Sequence, residues 1–362
     1  MGYRYIGAKT QIIDPVLAQI GKIVGNKAVV ADIMCGTATV SSALKAAGHT
    51  VIANDLMTYS YHHARVQLHL KKYPSFSGLR EFMSELSHTQ MSGSLFPLSP
   101  YEKVLHVLNG APLSEEGYFW REFSPAGQPS NGERPRNYFT AENAAKIDGL
   151  RKTIRRFKDE KLITALEYSL LVHDLVMAAN DIANIAGTYG HYLSKTVGRA
   201  KSAITLKPSA INTLNSGAHH KVYQGYAENV ASRVACDLCY IDPPYMKRQY
   251  AANYHILETL ARGDEPEAIG VSGLRPWRDQ YSNFCTKTKI RDSFDKIVTR
   301  MECPNFLVSY SEDGLLTLDE LRDTLSRHGS VAVTTIPNKR FKSNNSELAP
   351  VLTEYLIHLA KH

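Results

Sequence analysis

The sequence predicts an α/β fold built on a doubly wound, mostly parallel sheet, and three observations carry that prediction. Short apolar runs rich in β-branched residues alternate with helix-periodic segments at both ends of the chain. Glycine turns close the first of these runs. The alternation stops in the middle of the chain and then resumes, which marks a large, partly helical insertion.

Each element follows from its residues. Ile12, Ile13, Val16, Leu17, Ile20 and Ile23 recur every three or four positions, giving an amphipathic helix that tolerates Pro15 in its first turn. Ala28 to Met34 reads as a buried strand ended by Gly36, Thr39 to Ala47 as a helix ended by Gly48, and Thr50 to Asp55 as a second strand. Together they form a βαβ unit. A helix follows from Tyr59 to about Leu70. Tyr73 to Tyr138 is rich in Ser, Pro and Gly and lacks sustained periodicity, whereas Glu142 to Lys158 and Leu162 to Met177 read as helices. Alternation resumes near Val222. It gives strands at Leu238 to Ile241, Phe306 to Tyr310 and Ser330 to Ile336, with helices at Ala251 to Ala261, Lys289 to Met301 and Thr317 to Arg327. The apolar run Thr353 to Leu359 closes the pattern. The expected organisation is one domain from residues 1–58 and 220–362, with residues 59–219 inserted.

Composition narrows the function. The 362 residues carry 42 Lys+Arg against 35 Asp+Glu, a net charge of +7, and the pI is near 9.0. That balance favours an anionic partner, nucleic acid first. With 43% hydrophobic and 21% charged residues, disordered, collagen-like and disulfide-scaffold classes are excluded. An odd number of cysteines points to a reducing cytosol. Cys236 and Cys239 have no second Cys or His pair at metal-ligand spacing, so they read as core thiols and no metal is expected. Met1 to Tyr5 lacks the apolar stretch of a signal peptide, and no 18-residue window is apolar throughout. The expectation is a cytoplasmic prokaryotic protein with no membrane partner.

The sharpest signal is Asp242-Pro243-Pro244-Tyr245, directly after the apolar run Leu238 to Ile241. Two prolines cannot continue a central strand, so they hold a rigid turn at its carboxyl end. In open α/β sheets that edge is where ligands bind. The turn therefore offers a carboxylate, a backbone carbonyl and an aromatic ring at the mouth of a crevice. Asp32-Ile33-Met34-Cys35-Gly36-Thr37-Ala38 ends the first strand in an acid and a glycine turn, where backbone can approach a ligand closely. Asn54-Asp55 ends the next strand. Asp55 is suited to accept ribose hydroxyls, or to cap the helix that follows.

These motifs resemble the S-adenosylmethionine-dependent DNA amino-methyltransferases, whose signature is Asp/Asn/Ser-Pro-Pro-aromatic. Tyr5-Ile6-Gly7-Ala8-Lys9, the glycine loop, the ribose acid, a long insertion and then Asp-Pro-Pro-Tyr follow the order of the alpha, Dam-like group of adenine methyltransferases. Restriction-modification members also have a segment similar to Gly187-Thr188-Tyr189 with Tyr192 and Lys195. The resemblance implies a Rossmann-like methyltransferase sheet whose inserted region recognises the target. It implies S-adenosylmethionine as methyl donor, bound by Tyr5, Gly7, Lys9, Asp32, Cys35, Gly36, Thr37, Asp55 and Asp242. It assigns catalysis to Asp242, Pro243, Pro244 and Tyr245.

Duplex DNA is then the partner, with a restriction nuclease as a possible cognate. Lys247, Arg248, Lys339, Arg340 and Lys342 are candidates for phosphate contact, the alternative being solvated basic surface; the same choice applies to the basic run Arg151 to Lys158. The chemistry explains the residue types. Adenine N6 is a weak nucleophile because its lone pair is delocalised; an Asp242 carboxylate and a Pro243 carbonyl that accept its two N–H bonds would free that pair. Tyr245 would stack on the flipped base. Cytosine-N4 methylation is the alternative within this chemistry. A catalytically silent DNA-binding or partner subunit is the alternative outside it, motivated by Met34, Ala38 and Tyr226 where the family usually has other residues.

Overall fold

The computed structural model describes residues 9–87, 98–339 and 351–362. The chain divides into two compact units. A sheet unit takes Ile6–His69, Asn212–Ala251 and Gln280–His362, and a helical unit contains Leu70–Ile211 and Ala252–Asp279.

The sheet unit has seven strands: β1 Val29–Asp32, β2 Thr50–Asp55, β3 Lys221–Gln224, β4 Leu238–Ile241, β5 Asn305–Ser311, β6 Gly329–Lys339 and β7 Val351–Lys361. Their spatial order is β3-β2-β1-β4-β5-β7-β6. The first five run parallel, and β7 inserts antiparallel between β5 and β6. Successive residues of the central strands face opposite ways, and both faces are apolar, as a parallel sheet covered by helices requires. Val30, Val51, Leu238, Tyr240 and Leu307 pack with Val16 and Ile20 of helix Ile13–Val24 and with Leu44 of helix Thr39–Ala46. Ala31, Ile52, Cys239, Ile241, Phe306 and Val308 pack on the other face with Phe294, Ile297 and Val298 of helix Ile290–Arg300. All five cysteines are buried free thiols.

The order of the strands decides where a ligand can sit. From β1 the chain winds out to β2 and β3, and from β4 it winds the other way, so β1 and β4 flank the topological switch point. The expected doubly wound sheet is present. The sequence pattern does not reveal that β7, the last strand in the chain, lies inside β6, because alternation is satisfied by either order.

The helical unit holds helices Arg80–Ser87, Pro100–Gly110, Tyr118–Phe123, Ala141–Asp159, Ala165–Ile182 and His255–Arg262. Three of these lie in the stretch from Tyr73 to Tyr138 that reads as irregular. Pro100–Gly110 is started by a capping box in which Ser99 and Glu102 satisfy each other's backbone amides, with Pro100 at the first helical position. The second long helix starts at Ala165, three residues later than its apolar pattern suggests, because Thr164 and Glu167 form its capping box. Unit boundaries also differ from the sequence reading. Helix Thr58–His69 packs with the sheet unit, through Ala64 and Leu68, and residues 252–279 cluster with the helical unit.

Among the described residues no helix is long and apolar enough to cross a membrane. Among the same residues, no group of three or more His, Cys, Asp or Glu is placed to hold a metal.

Candidate active site

Three acids end three neighbouring parallel strands of the sheet unit. Asp32 closes β1, Asp55 closes β2, and Asp242 follows β4. The turn after β1 is shaped for close approach. Gly36 sits at φ +49 and Ala38 at φ +59. Ala38 stands where the methyltransferases that this loop resembles usually have a second glycine, and its left-handed backbone supplies the reason: an alanine there costs roughly 1 kcal/mol that glycine avoids.

Hydrogen bonds lock this turn to β2. Cys35 N–H donates to the Asn54 carbonyl at 2.9 Å, and Gly36 N–H to Asp55 Oδ2 at 2.8 Å. Asp55 Oδ1 accepts from Met57 N–H at 2.9 Å, an Asx turn ahead of the helix that starts at Thr58, and the same carboxylate fixes the glycine loop. Asn54 Nδ2 donates to the carbonyls of Ile33 (2.9 Å) and Gly225 (3.0 Å), tying the ends of β1 and β3 together. Thr37 Oγ1 pairs with Thr39 Oγ1 at 2.8 Å.

Asp32 is buried and accepts a 2.6 Å hydrogen bond from Ser41 Oγ. Burial pushes its carboxyl up to about 7, with Ser41 opposing the rise and Asp242 and Asp55 adding to it. Burial also holds the Cys35 thiol well above its ordinary range, so it stays neutral.

Lys9 lies almost fully buried at the start of the described chain, with Nζ 3.1 Å from Asp242 Oδ1 and 3.4 Å from Glu354 Oε2. Burial works against its charge, but Asp242, Glu354 and Tyr245 together raise its pKa and keep it an ammonium. Burial pushes Asp242 up to about 6, with Lys9 opposing and Glu354 reinforcing the rise. One lysine thus answers two carboxylates, and the Asp242 side chain keeps 18% exposure.

The two prolines stiffen the turn that holds Asp242, and Pro243 is buried. Tyr245 is half-buried: its ring meets Tyr310 edge-on at 5.8 Å, and Lys9 Nζ lies 5.6 Å from its centroid. The Tyr245 carbonyl accepts from Leu315 N–H at 2.9 Å, anchoring the far end of the turn. Lys247 and Arg248 follow on the exposed surface.

The structure therefore brings together Lys9, Asp32, Cys35, Gly36, Asp55, Asp242 and Tyr245 in one unit. Tyr5, Gly7, Arg340 and Lys342 lie outside the described residues, as does the side chain of Lys339 at the end of β6. Glu354 was missed by sequence reasoning. It sits in the middle of β7, opposite Ser311 and Ile336, and its partner Lys9 is 345 residues away. An acid within the apolar run of a buried strand was the available signal. Tyr226, which replaces the family's usual acidic or amide residue, lines a cavity of about 370 Å³ with Glu228, Asn229, Tyr281, Asn283, Lys296 and Arg300.

An acid held at the end of β4 by a di-proline turn, beside a glycine turn and a second strand-end acid, suits transfer to an amine. Residues 5–324 match the model of the D12 class N6 adenine-specific DNA methyltransferase family. The chain belongs to that family. Methyltransferase relatives span its whole length: the type II methyltransferase M.FokI of Planomicrobium okeanokoites is 33% identical over 99% of this chain and 52% of its own. The modification methylase StsI of Streptococcus sanguinis is 28% identical over 99% and 52%. The type II methyltransferase M.NlaIII of Neisseria lactamica is 28% identical over 95% and 93%. The chain spans about half the length of the first two of these relatives.

Proposed function

We propose that the chain transfers a methyl group from S-adenosylmethionine to the N6 amino nitrogen of adenine, at a specific short sequence in duplex DNA, with the target base flipped out of the stack. The observation that carries this reading is Asp242, fixed after β4 by two prolines and by Lys9 at 3.1 Å.

The donor set fits the methyl donor. Asp32, Asp55 and Asp242 gather negative charge at one strand edge, which suits a cationic nucleoside with ribose hydroxyls. Asn54 Oδ1 is buried at that edge without a hydrogen-bond partner among the described residues. Asp55 would accept the ribose hydroxyls and Gly36 would give the backbone room. S-adenosylmethionine supplies the methyl group as an electrophilic carbon on sulfonium.

The chain's residues supply orientation and a base. Asp242 Oδ and the Pro243 carbonyl accept the two N6 hydrogens, which frees the nitrogen lone pair. As N6 bonds to the methyl carbon it gains positive charge and must lose a proton. Asp242, raised to about 6, is a better matched acceptor than an ordinary carboxylate. Lys9 keeps Asp242 ionised and aligned, and Glu354 holds Lys9. Tyr245 stacks on the flipped base, and Lys247 and Arg248 reach flanking phosphates.

The helical unit would read the target sequence, and a restriction nuclease for the same sequence is the partner proposed, in keeping with relatives named modification methylases. Incubation with S-adenosylmethionine and unmethylated bacterial DNA, then mass spectrometry of the nucleosides, tests the reading. N6-methyladenine is expected. N4-methylcytosine would reverse the base, and no modified nucleoside would reject the activity.

A further inference from the structure

We propose that Cys236 and Cys303 form a modification site, a dithiol in the sheet unit that a small peroxide oxidises to a reversible disulfide. The parallel ladder of β4 and β5 sets the geometry. Ala235 bridges to Glu302, and Cys239 stands opposite Phe306. Both pairings have the same offset, so one continuous register puts Cys236 directly opposite Cys303. Cys236 N–H donates to the Glu302 carbonyl at 3.0 Å and Glu302 N–H to the Val234 carbonyl at 3.3 Å. Beyond the thiols, Asn305 Nδ2 donates to the Asp237 carbonyl at 3.1 Å.

Adjacent strands run about 4.8 Å apart, inside the Cα separation of about 4.4–6.8 Å that a disulfide spans. Both cysteines enter one core cluster, with Phe294 and Ile297. Among the described residues no other two cysteines face each other across a ladder: Cys239 stands opposite Phe306 and Ala31, while Cys35 and Cys285 lie outside the strands. Cys236 and Cys303 are free thiols, as befits a site that is oxidised transiently.

The pair is chemically unequal. A hydrogen bond from the Cys236 thiol to the Cys303 sulfur holds Cys303 below the ordinary thiol range against the effect of burial, and the Lys361 ammonium adds to the fall. Lys361 Nζ is kept in place by the carbonyls of Val298 at 2.7 Å and Met301 at 3.3 Å. The same pairing, with burial, holds Cys236 far above that range. While protonated, Cys303 donates to the Asn305 carbonyl at 2.9 Å, and Cys236 Sγ lies 3.9 Å from Met301 Sδ. Cys303 is therefore the nucleophile and Cys236 the resolving thiol. Their residual exposures of 5% and 8% admit a peroxide but not a protein thiol.

The step balances. The Cys303 thiolate attacks one peroxide oxygen; the S–O bond forms, the O–O bond breaks, and hydroxide leaves with a proton as water. Cys236 then gives up its proton and attacks the sulfenic sulfur; the S–S bond forms, the S–O bond breaks, and a second water leaves. The two sulfurs supply the two electrons that reduce the peroxide.

The test treats the folded full chain with hydrogen peroxide, unfolds it in N-ethylmaleimide and maps the cysteines by mass spectrometry. A peptide joining Cys236 to Cys303, lighter by two hydrogens and released by dithiothreitol, is expected to form at least about tenfold faster than Cys35, Cys239 or Cys285 is oxidised. C236S should strand Cys303 as a sulfenic acid that dimedone captures, and C303S should leave Cys236 reduced. The wild-type map decides the matter even where a variant fails to fold. A chain that stays reduced overturns the site. So does a Cys303 driven past sulfenic acid without a cross-link, or five cysteines oxidised at one rate, the mark of oxidation in an unfolded chain. No methylation is read, so the result is independent of the function proposed above.

Discussion

Among the buried cations of the described residues, Lys9 in the sheet unit and Arg136 in the helical unit are treated differently. Lys9 in the sheet unit faces two carboxylates, one of which, Asp242, stays partly open to solvent. Arg136 in the helical unit is wholly enclosed; it meets one carboxylate, the side-chain carbonyl of Asn131 at 3.4 Å, and otherwise the backbone carbonyls of Glu122, Ala268, Gly270 and Val271. Partners that titrate make a buried charge an instrument of chemistry, since each sets the ionisation of the others. Partners that are carbonyls make it an instrument of shape. The prolines, β7 and Lys9 serve one carboxylate, whereas Arg136 serves the path of a loop.

Removing each cation should therefore fail in a different way. Arg136→Met would leave Glu122 buried beside carbonyls that have lost their donor, and should cost about 3–5 kcal/mol in denaturant unfolding. A loss under about 1 kcal/mol would mean that Arg136 carries little. Lys9→Met should fold but lower single-turnover methyl transfer about 100-fold. Because Lys9 holds the Asp242 pKa down, its loss should move the acid limb of kcat/KM above the wild-type position near pH 6.

Glu354→Gln should act in the opposite sense. Removing a negative charge that raises Asp242 should shift the limb to lower pH, with a loss of about tenfold in transfer at neutral pH. Limbs that move together in the two variants would separate Asp242 from its assigned role. The smallest effect expected is at the cofactor: Asp55→Ala should weaken S-adenosylmethionine by about tenfold, or 1.4 kcal/mol, in a titration without DNA.

Much of the sheet unit was legible because its signals are local. The run Leu238 to Ile241 followed by Asp-Pro-Pro-Tyr encodes a buried strand, a rigid turn and a carboxylate within eight residues, and Asp32 and Asp55 end their strands by the same logic. Glu354 was hidden because its meaning comes from Lys9, at the other end of the chain. The helices from Arg80 to Phe123 were hidden because two are only six or eight residues long and their apolar faces are interrupted. The Ser99-Pro100-Tyr101-Glu102 capping box could have revealed the third. Arg136 illustrates the remaining limit, since a buried arginine looks like a surface one until the carbonyls it gathers are placed around it.

The most direct test of the central claim is single-turnover methyl transfer by Asp242→Ala, with the S-adenosylmethionine dissociation constant measured on the same preparation. The account predicts transfer lowered at least about 1,000-fold with cofactor affinity within a few-fold of the wild type. Transfer near the wild-type rate would contradict it, because no other carboxylate following β4 could then be the group that frees the amine.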